Sequence, residues 1–203
     1  MNDLTAPIAS DDAAWSLINT PLKIDELKTF CQDIERLFRI NPMLEFSRWE
    51  NLANDSYRMS VTNISQETPF KLETELQVEH QAENITIHYS NGLKKKTVLM
   101  FEPSEQGSKL TIIDDYSGLS DEQRKSRLHE VDKSLTNWAY YLQRYLSLWQ
   151  RWSRYSLWRW YMRRVWQPMK PSGRRITYML LWITVVEIAL ISLGATIYFI
   201  ERT

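Results

Sequence analysis

Side chains able to do acid–base chemistry are few in this chain of 203 residues. The candidates for proton transfer are His88, Tyr89, Asp114 and Asp115. Side chains alternate between the two faces of a strand, so His88 faces outward if Ile87 faces inward, and Asp114 shares the face of Ile112. Asp114 also lies beside a turn, where aspartate is common for backbone reasons alone. An enzymatic site therefore stays an alternative, and no catalytic residue is assigned.

Metal and cofactor chemistry finds little support in the residue types. His80, His88 and His129 do not have the spacing of metal ligands. Cys31 is the single cysteine, which excludes an intramolecular disulfide and a cysteine-based zinc site, and we expect it to fill the core. No phosphate-binding glycine motif or nucleophile elbow occurs. We expect no metal and no cofactor.

The charges are balanced overall but strongly segregated along the chain. Lys+Arg and Asp+Glu each number 25. Residues 1–132 carry 14 basic and 23 acidic side chains, a net of −9, whereas residues 133–186 carry ten basic and no acidic ones. Such asymmetry indicates an anionic surface as the partner of the basic part.

Tryptophan and arginine are mixed within this basic part. Tryptophan favours the headgroup zone of a membrane, and arginine there meets lipid phosphates. The residues predicted to lie at the membrane interface are Trp149, Trp152, Arg154, Trp158, Arg163, Arg164, Trp166, Arg174 and Arg175. The arginines spread around a helical wheel, so the segment is not a flat amphipathic helix; it either stands at headgroup level or packs on a partner. Stacking on single-stranded nucleic acid is the disfavoured alternative, and no nucleic-acid partner is predicted.

The segment 176–200 is apolar except for Glu187. Its 25 residues would form a helix of about 37 Å, enough for a hydrocarbon core of roughly 30 Å. The N-terminus does not resemble a secretory signal, and basic residues precede the span, so the positive-inside rule places the preceding part in the cytoplasm. We expect a single-pass, tail-anchored protein, with a bacterial inner membrane as the preferred location.

Glu187 lies near the middle of this span. A charged side chain there costs about 2.5–3.5 kcal/mol on insertion scales. Contact with another membrane protein or a second copy, with Ser192, Ala195 and Thr196 allowing close approach, is one interpretation. A tolerated acid in a strongly apolar span is the other.

The preceding residues predict an antiparallel sheet with helices. Apolar residues from Ile24 to Phe38 follow a helical period up to Asn41-Pro42. Apolar and polar residues alternate with a period of two in six or seven later segments, which predicts β-strands. Asn91-Gly92 predicts a hairpin turn between two of them. Apolar spacing after a capping box at Ser120 predicts a long helix, which could extend over roughly 70 Å to Gln167; the sequence leaves open whether it is continuous.

This order of elements resembles the START-like superfamily, also called SRPBCC, which includes polyketide cyclases, lipid-transfer START domains and coenzyme Q-binding proteins. The resemblance covers residues 12–145 and is carried by DELKTFCQDIERLFRINP and by TIIDDYSG. It implies an α+β helix-grip fold, a curved antiparallel sheet wrapped round a long C-terminal helix, with an apolar cavity between them. By the family's pattern, the cavity residues are Tyr57, Met59, Leu76, Ile87, Tyr89, Ile112 and Trp138. The alternative is that these side chains simply fill a core.

Four regions follow: a tail (1–11), a helix-grip domain (12–145), a Trp/Arg-rich juxtamembrane segment (146–175) and a transmembrane helix (176–200). The favoured function is non-catalytic binding of an apolar, lipid- or isoprenoid-like ligand at the cytoplasmic membrane face. Family members that bind such ligands often do no chemistry. A lipid-modifying cyclase or hydrolase, or a membrane adaptor that recruits partners, are the alternatives.

Overall fold

A seven-stranded antiparallel sheet forms the body of the structure, which is a computed structural model describing residues 12–117 and 132–201. The strands are β1 (Ala13–Thr20), β2 (Leu44–Asn51), β3 (Ser56–Asn63), β4 (Phe70–His80), β5 (Asn84–Tyr89), β6 (Lys96–Ser104) and β7 (Gly107–Asp115). Their order in the sheet is β1-β7-β6-β5-β4-β3-β2, so the chain's first two strands form the two edges.

The helices are α1 (Ile24–Cys31), α2 (Ile34–Arg39), α3 (Leu135–Trp152), α4 (Ser156–Tyr161) and α5 (Pro171–Glu201). A short π-helical segment, Met162–Trp166, follows α4 directly. Helices α1 and α2 connect the two edge strands, and α3 packs across the inner face of the sheet. The fold is α+β and of the helix-grip type, as predicted.

Alternation along the strands explains why one face of the sheet is buried. In β4, Leu76 and Val78 are buried while Glu75 and Gln77 are exposed. The buried side chains of neighbouring strands meet α3, whose Trp138 donates from Nε1 to the carbonyl of Leu37 at 3.0 Å. This bond satisfies the indole inside the core and fixes α3 against α2.

Two local predictions need correction. The predicted single helix after β1 is two helices, because Asp33 ends the first and caps the second by accepting from the Arg36 amide at 3.1 Å. Asn91-Gly92 does lie in a hairpin, between the antiparallel strands β5 and β6, but the connection has six residues, since β5 ends at Tyr89 and β6 begins at Lys96. The tight hairpin is the next one, where Gly107 with φ +138° has no room for a Cβ atom, which would lie 2.2 Å from the carbonyl oxygen of Thr20.

The structure decides whether the helix between 120 and 167 is continuous: it is interrupted. Its proposed start, with the capping box, lies outside the described residues, but residues 132–134 are not helical and α3 begins at Leu135. At its other end α3 stops at Trp152, and Arg159 donates to the carbonyl of Ser153 just beyond it. The chain then turns back, and Trp158 packs on Trp149 with ring centroids 5.6 Å apart. A straight rod would carry Trp158 away from the body, so burial of its aromatic surface favours the turn.

Candidate ligand cavity

A cavity of about 360 Å³ lies between the inner face of the sheet, α2 and the β5–β6 connection. It is lined by Phe38, Leu44, Met59, Val61, Asn63, Phe70, Lys71, Leu72, Glu73, Tyr89, Asn91, Gly92, Leu93, Lys94, Tyr116 and Asp132. Its volume is within the range of small-molecule sites, roughly 300–1,000 Å³. The exposed residues Lys71, Glu73 and Asn91 mark the side on which it reaches the surface.

The wall of the cavity is mostly apolar. Met59 and Val61 of β3 are buried, as is Phe38 of α2, and they face the space beside Leu93. Alternation places the β3 side chains inward, and the end of α2 turns Phe38 onto them. An occupant would therefore exchange water for aliphatic and aromatic surface.

One side of the cavity carries a buried charge cluster formed by Lys94, Asp114 and Asp132. Lys94 Nζ lies 2.7 Å from Asp114 Oδ2 and 3.0 Å from Asp132 Oδ2. The Asp114 side chain is 1% exposed and that of Lys94 is 12% exposed, so water screens these contacts little. Lys94 and Asp132 line the cavity, whereas Asp114 lies behind them in the sheet.

Neutral side chains complete the cluster. Thr97 Oγ1 donates to Asp114 Oδ1 at 2.5 Å and lies 3.0 Å from the hydroxyl of Tyr89. Asn63 Nδ2 and the amide of Ser134 each donate to Asp132 Oδ1 at 2.9 Å. The non-helical residues before α3 thus bring a carboxylate to the end of β3.

The pKa values in the cluster depend on the Lys94 ammonium group, which contacts the carboxylates of both Asp114 and Asp132. Burial disfavours the charged form of Lys94, but Asp114 and Asp132 more than offset this and raise its pKa well above the usual value. Burial opposes ionisation of Asp132, but Lys94 and the hydrogen bonds from Ser134 and Asn63 lower its pKa well below the usual value. Burial raises the pKa of Asp114, against the opposing effect of Lys94. Burial also raises the pKa of Tyr89.

The sequence-predicted cavity residues divide into two groups. Met59 and Tyr89 line the cavity. Tyr57 is half-buried, does not line the cavity, and packs against Trp49 with the two rings tilted and their centroids 5.6 Å apart. The other four are buried in the core and are not among the lining residues: Leu76, Ile87, Ile112 and Trp138.

Of the four candidate acid–base residues, the structure brings Tyr89 and Asp114 together through Thr97 and keeps His88 and Asp115 apart from them. His88 faces outward, 3.6 Å from Glu79. Asp115 accepts from the amide of Ser117 at 2.9 Å, in the turn after β7. Asp114 faces inward, as its parity with Ile112 predicts, and is fully buried.

Sequence reasoning missed Lys94 and Asp132. Lys94 is in a connection that the pattern reads as a short polar turn, and Asp132 falls within the predicted long helix. An inward Asp114 on a buried strand was the available signal, since a buried carboxylate needs a cationic or hydrogen-bonding partner.

Among residues 12–117 and 132–201, no three His, Cys, Asp or Glu side chains come together in a way that could hold a metal ion. Cys31 is buried, and burial raises its pKa to about 12, so its thiol is not a nucleophile.

The Trp/Arg-rich segment has two kinds of residue in the structure. Trp149, Trp158 and Trp166 are half-buried and pack against the core of the body. Exposed are Trp152, Arg154, Arg163, Arg164 and Arg175. Arg174 is half-buried, and its guanidinium lies 3.9 Å from the ring centroid of Trp166.

Within the described part of the chain, one helix is long and apolar enough to cross a membrane, over residues Pro171–Ile200. It projects from the body, and no residue of its most apolar stretch is buried. It is a candidate membrane span, in the place that the sequence predicts.

No family model matches the chain, and no curated protein matches it in sequence. Solved structures do show a similar fold. A protein from Arthrobacter aurescens shares 12% identity with a TM-score of 0.48, over 66% of this chain and 86% of its own. An AHSA1-like protein from Aeromonas hydrophila shares 10% identity with a TM-score of 0.39, over 64% of this chain and 92% of its own.

A polyketide cyclase-like protein from Corynebacterium glutamicum shares 18% identity with a TM-score of 0.34, over 62% of this chain and 77% of its own. All three likenesses are distant. The strand order and the placement of α1, α2 and α3 define the fold as an α+β fold of the helix-grip type.

Proposed function

We propose that this protein binds an apolar, lipid- or isoprenoid-like ligand in the cavity between sheet and helices, without catalysis, while α5 holds it in a membrane. The observation that carries the proposal is the cavity itself, with an apolar wall and one buried polar side. An ammonium has three N–H donors, and in the described structure two carboxylates occupy two of them. Lys94 can therefore donate its third to a polar group at one end of the ligand.

The pKa directions of Lys94 and Asp132, the two charged members of the cluster that line the cavity, support binding rather than proton transfer. A general acid or base works best with a pKa near the operating pH. Lys94 stays protonated because its pKa is raised, and Asp132 stays ionised because its pKa is lowered. Charges held in this way suit a fixed hydrogen-bonding group that orients a ligand.

The candidate span supports a membrane location for this binding. The basic residues that precede α5 favour the cytoplasmic side for the cavity under the positive-inside rule. A protein anchored beside the source of its ligand meets that ligand at a high effective concentration.

The proposal is tested by refilling the emptied cavity. The full chain is purified in detergent, stripped of lipid and exposed to a membrane lipid extract, and bound compounds are identified by mass spectrometry. The variant Leu72→Trp adds bulk to the cavity wall, because Leu72 lines the cavity and is half-buried. We expect the wild type to enrich one hydrophobic compound and Leu72→Trp to retain at least tenfold less of it.

The matched control is Leu52→Trp, the same substitution at an exposed leucine that does not line the cavity. It should enrich the compound as the wild type does. If no compound is enriched, or if both variants lose it equally, the cavity is not a ligand site.

A further inference from the structure

A second cavity, of about 450 Å³, lies where the body meets the start of α5. We call it the juxtamembrane groove. Its walls include the aromatic rings of Tyr145, Trp158 and Trp166, and Tyr178 of α5 closes one side. The turn after α3 creates this space, because it brings Trp158 and Trp166 back beside α3.

Three arginines line the juxtamembrane groove, and none of its described lining residues is acidic. Arg174 is bound by the protein: its guanidinium donates to the carbonyls of Arg39, Trp166 and Gln167 at 2.7, 3.0 and 2.9 Å. Arg174 therefore fixes α5 to the body. It also adds positive charge to the groove.

Arg144 and Arg175 are the free cations of the groove. Both are exposed, and neither guanidinium group forms an ion pair or a hydrogen bond with another described residue. They come from α3 and α5, so an anion between them would contact both the body and the candidate span. Planar guanidinium groups suit the oxygens of a phosphate.

The position of the groove selects the rest of the occupant. Beyond Tyr178, the exposed surface of α5 over residues 179–186 is apolar except for Thr184, whose hydroxyl donates to the carbonyl of Leu180 in the same helix. An occupant must therefore offer an anion to the arginines and hydrocarbon to the helix. A phospholipid does both, whereas an acidic peptide would leave the apolar face of α5 uncovered.

We propose that the juxtamembrane groove binds one anionic phospholipid, with its phosphate between Arg144 and Arg175 and its first acyl carbons against the aromatic walls. The inference rests on the proposed membrane insertion of α5. It concerns a site separate from the cavity in the sheet, so the two can fail independently.

The test is a titration of the full chain in detergent with dioleoyl phosphatidylglycerol, followed by native mass spectrometry. We expect one lipid to bind saturably, and dioleoyl phosphatidylcholine, which has no net charge, to bind at least tenfold more weakly. The double variant Arg144→Gln/Arg175→Gln should weaken phosphatidylglycerol binding at least tenfold. Free glycerol phosphate should not displace the lipid at equal concentration, because it lacks the acyl chains.

The matched control is Arg151→Gln/Arg164→Gln, which removes two exposed arginines of the same segment that do not line the groove. It should change the affinity less than threefold. The inference would be overturned by equal losses of phosphatidylglycerol affinity in the two double variants, or by equal binding of the two lipids. Displacement of the bound lipid by an acidic peptide would also overturn it.

Leu72→Trp separates this inference from the proposed function. The variant should bind phosphatidylglycerol as the wild type does, since Leu72 lines only the cavity in the sheet. Loss of phosphatidylglycerol binding in Leu72→Trp would assign the lipid to that cavity and contradict the groove site. A wild type that enriches a cavity ligand but does not bind phosphatidylglycerol would leave the proposed function intact and reject the groove site.

Discussion

Asp132 illustrates how single residues set the chemistry of the cavity. Its carboxylate accepts from Asn63 and from the Ser134 amide and lies 3.0 Å from Lys94 Nζ. A carboxylate held in this way is stabilised in its ionised form, so its pKa falls when the protein folds. The folded state therefore gains stability wherever Asp132 is ionised.

This gain predicts a pH dependence for the variant Asp132→Asn. At neutral pH we expect the variant to lower the free energy of unfolding by about 1.5–3 kcal/mol, the value of hydrogen bonds to a charged group. A group with a lowered folded-state pKa stabilises above its unfolded pKa, about 3.9, and loses this effect as the pH falls towards the folded value. The difference between wild type and variant should thus shrink below about pH 4.

Chemical denaturation of the full chain in detergent, followed over a pH series, measures this difference. Glu73→Gln is the control, because Glu73 lies at the exposed edge of the same cavity. A difference that stays constant down to low pH would show that the loss at neutral pH comes from packing and not from charge.

Helix α5 carries one charged residue between Ile176 and Ile200, which is Glu187. The small residues expected to help association do not all lie with it. At 100° per residue, Gly194 is within about 20° of Glu187, whereas Ser192 and Thr196 are on other faces. The hydroxyls of Ser192 and Thr196 donate to backbone carbonyls of their own helix, both at 2.8 Å.

We therefore propose self-association of α5 through the face that carries Glu187 and Gly194. A Cβ atom at Gly194 would meet nothing within 4 Å in the single chain, so a leucine there would disturb only a neighbouring helix. Glu187→Leu and Gly194→Leu should each lower the dimer fraction severalfold in liposomes, as measured by single-molecule photobleaching.

Ala189→Leu is the control, because two residues of helix place Ala189 about 200° from Glu187. It should leave the dimer fraction unchanged. An unchanged fraction in Glu187→Leu would favour the alternative that this acid is simply tolerated in the span.

The whole molecule combines a helix-grip body with a projecting apolar helix, and Arg174 fixes the two together through the carbonyl of Arg39. If α5 spans a membrane, its removal should release the body. A chain ending at Arg175 keeps this link but lacks the apolar residues. We expect the full chain to stay with vesicles in alkaline carbonate and the shortened chain to appear in the supernatant.

Circular dichroism of the shortened chain provides the control, because its body should keep the helix and strand content of the full chain without its last helix. A folded, shortened chain that remains with the vesicles as firmly as the full chain would mean that the exposed aromatic side chains, and not α5, hold the protein on the membrane.

Much of the fold could be read from local patterns. A period of two requires strands with one buried face, and the run around Glu187 is apolar enough for a membrane whatever precedes it. These features depend on neighbours in sequence, and the structure confirms the seven strands and the apolar helix. The inward orientation of Asp114 also followed from parity alone.

Only the tertiary structure decided which distant residues meet. Lys94, Asp114 and Asp132 belong to three separate connections or strand ends, and their pairing depends on how α3 begins beside β3 and β7. The break after α3 also depends on tertiary packing, because Trp158 turns back onto Trp149 and both rings pack against the core of the body. Hydrophobic periodicity reports which face of an element is buried, but it does not report which charge or ring will lie opposite, because that depends on the packing of elements far apart in the chain.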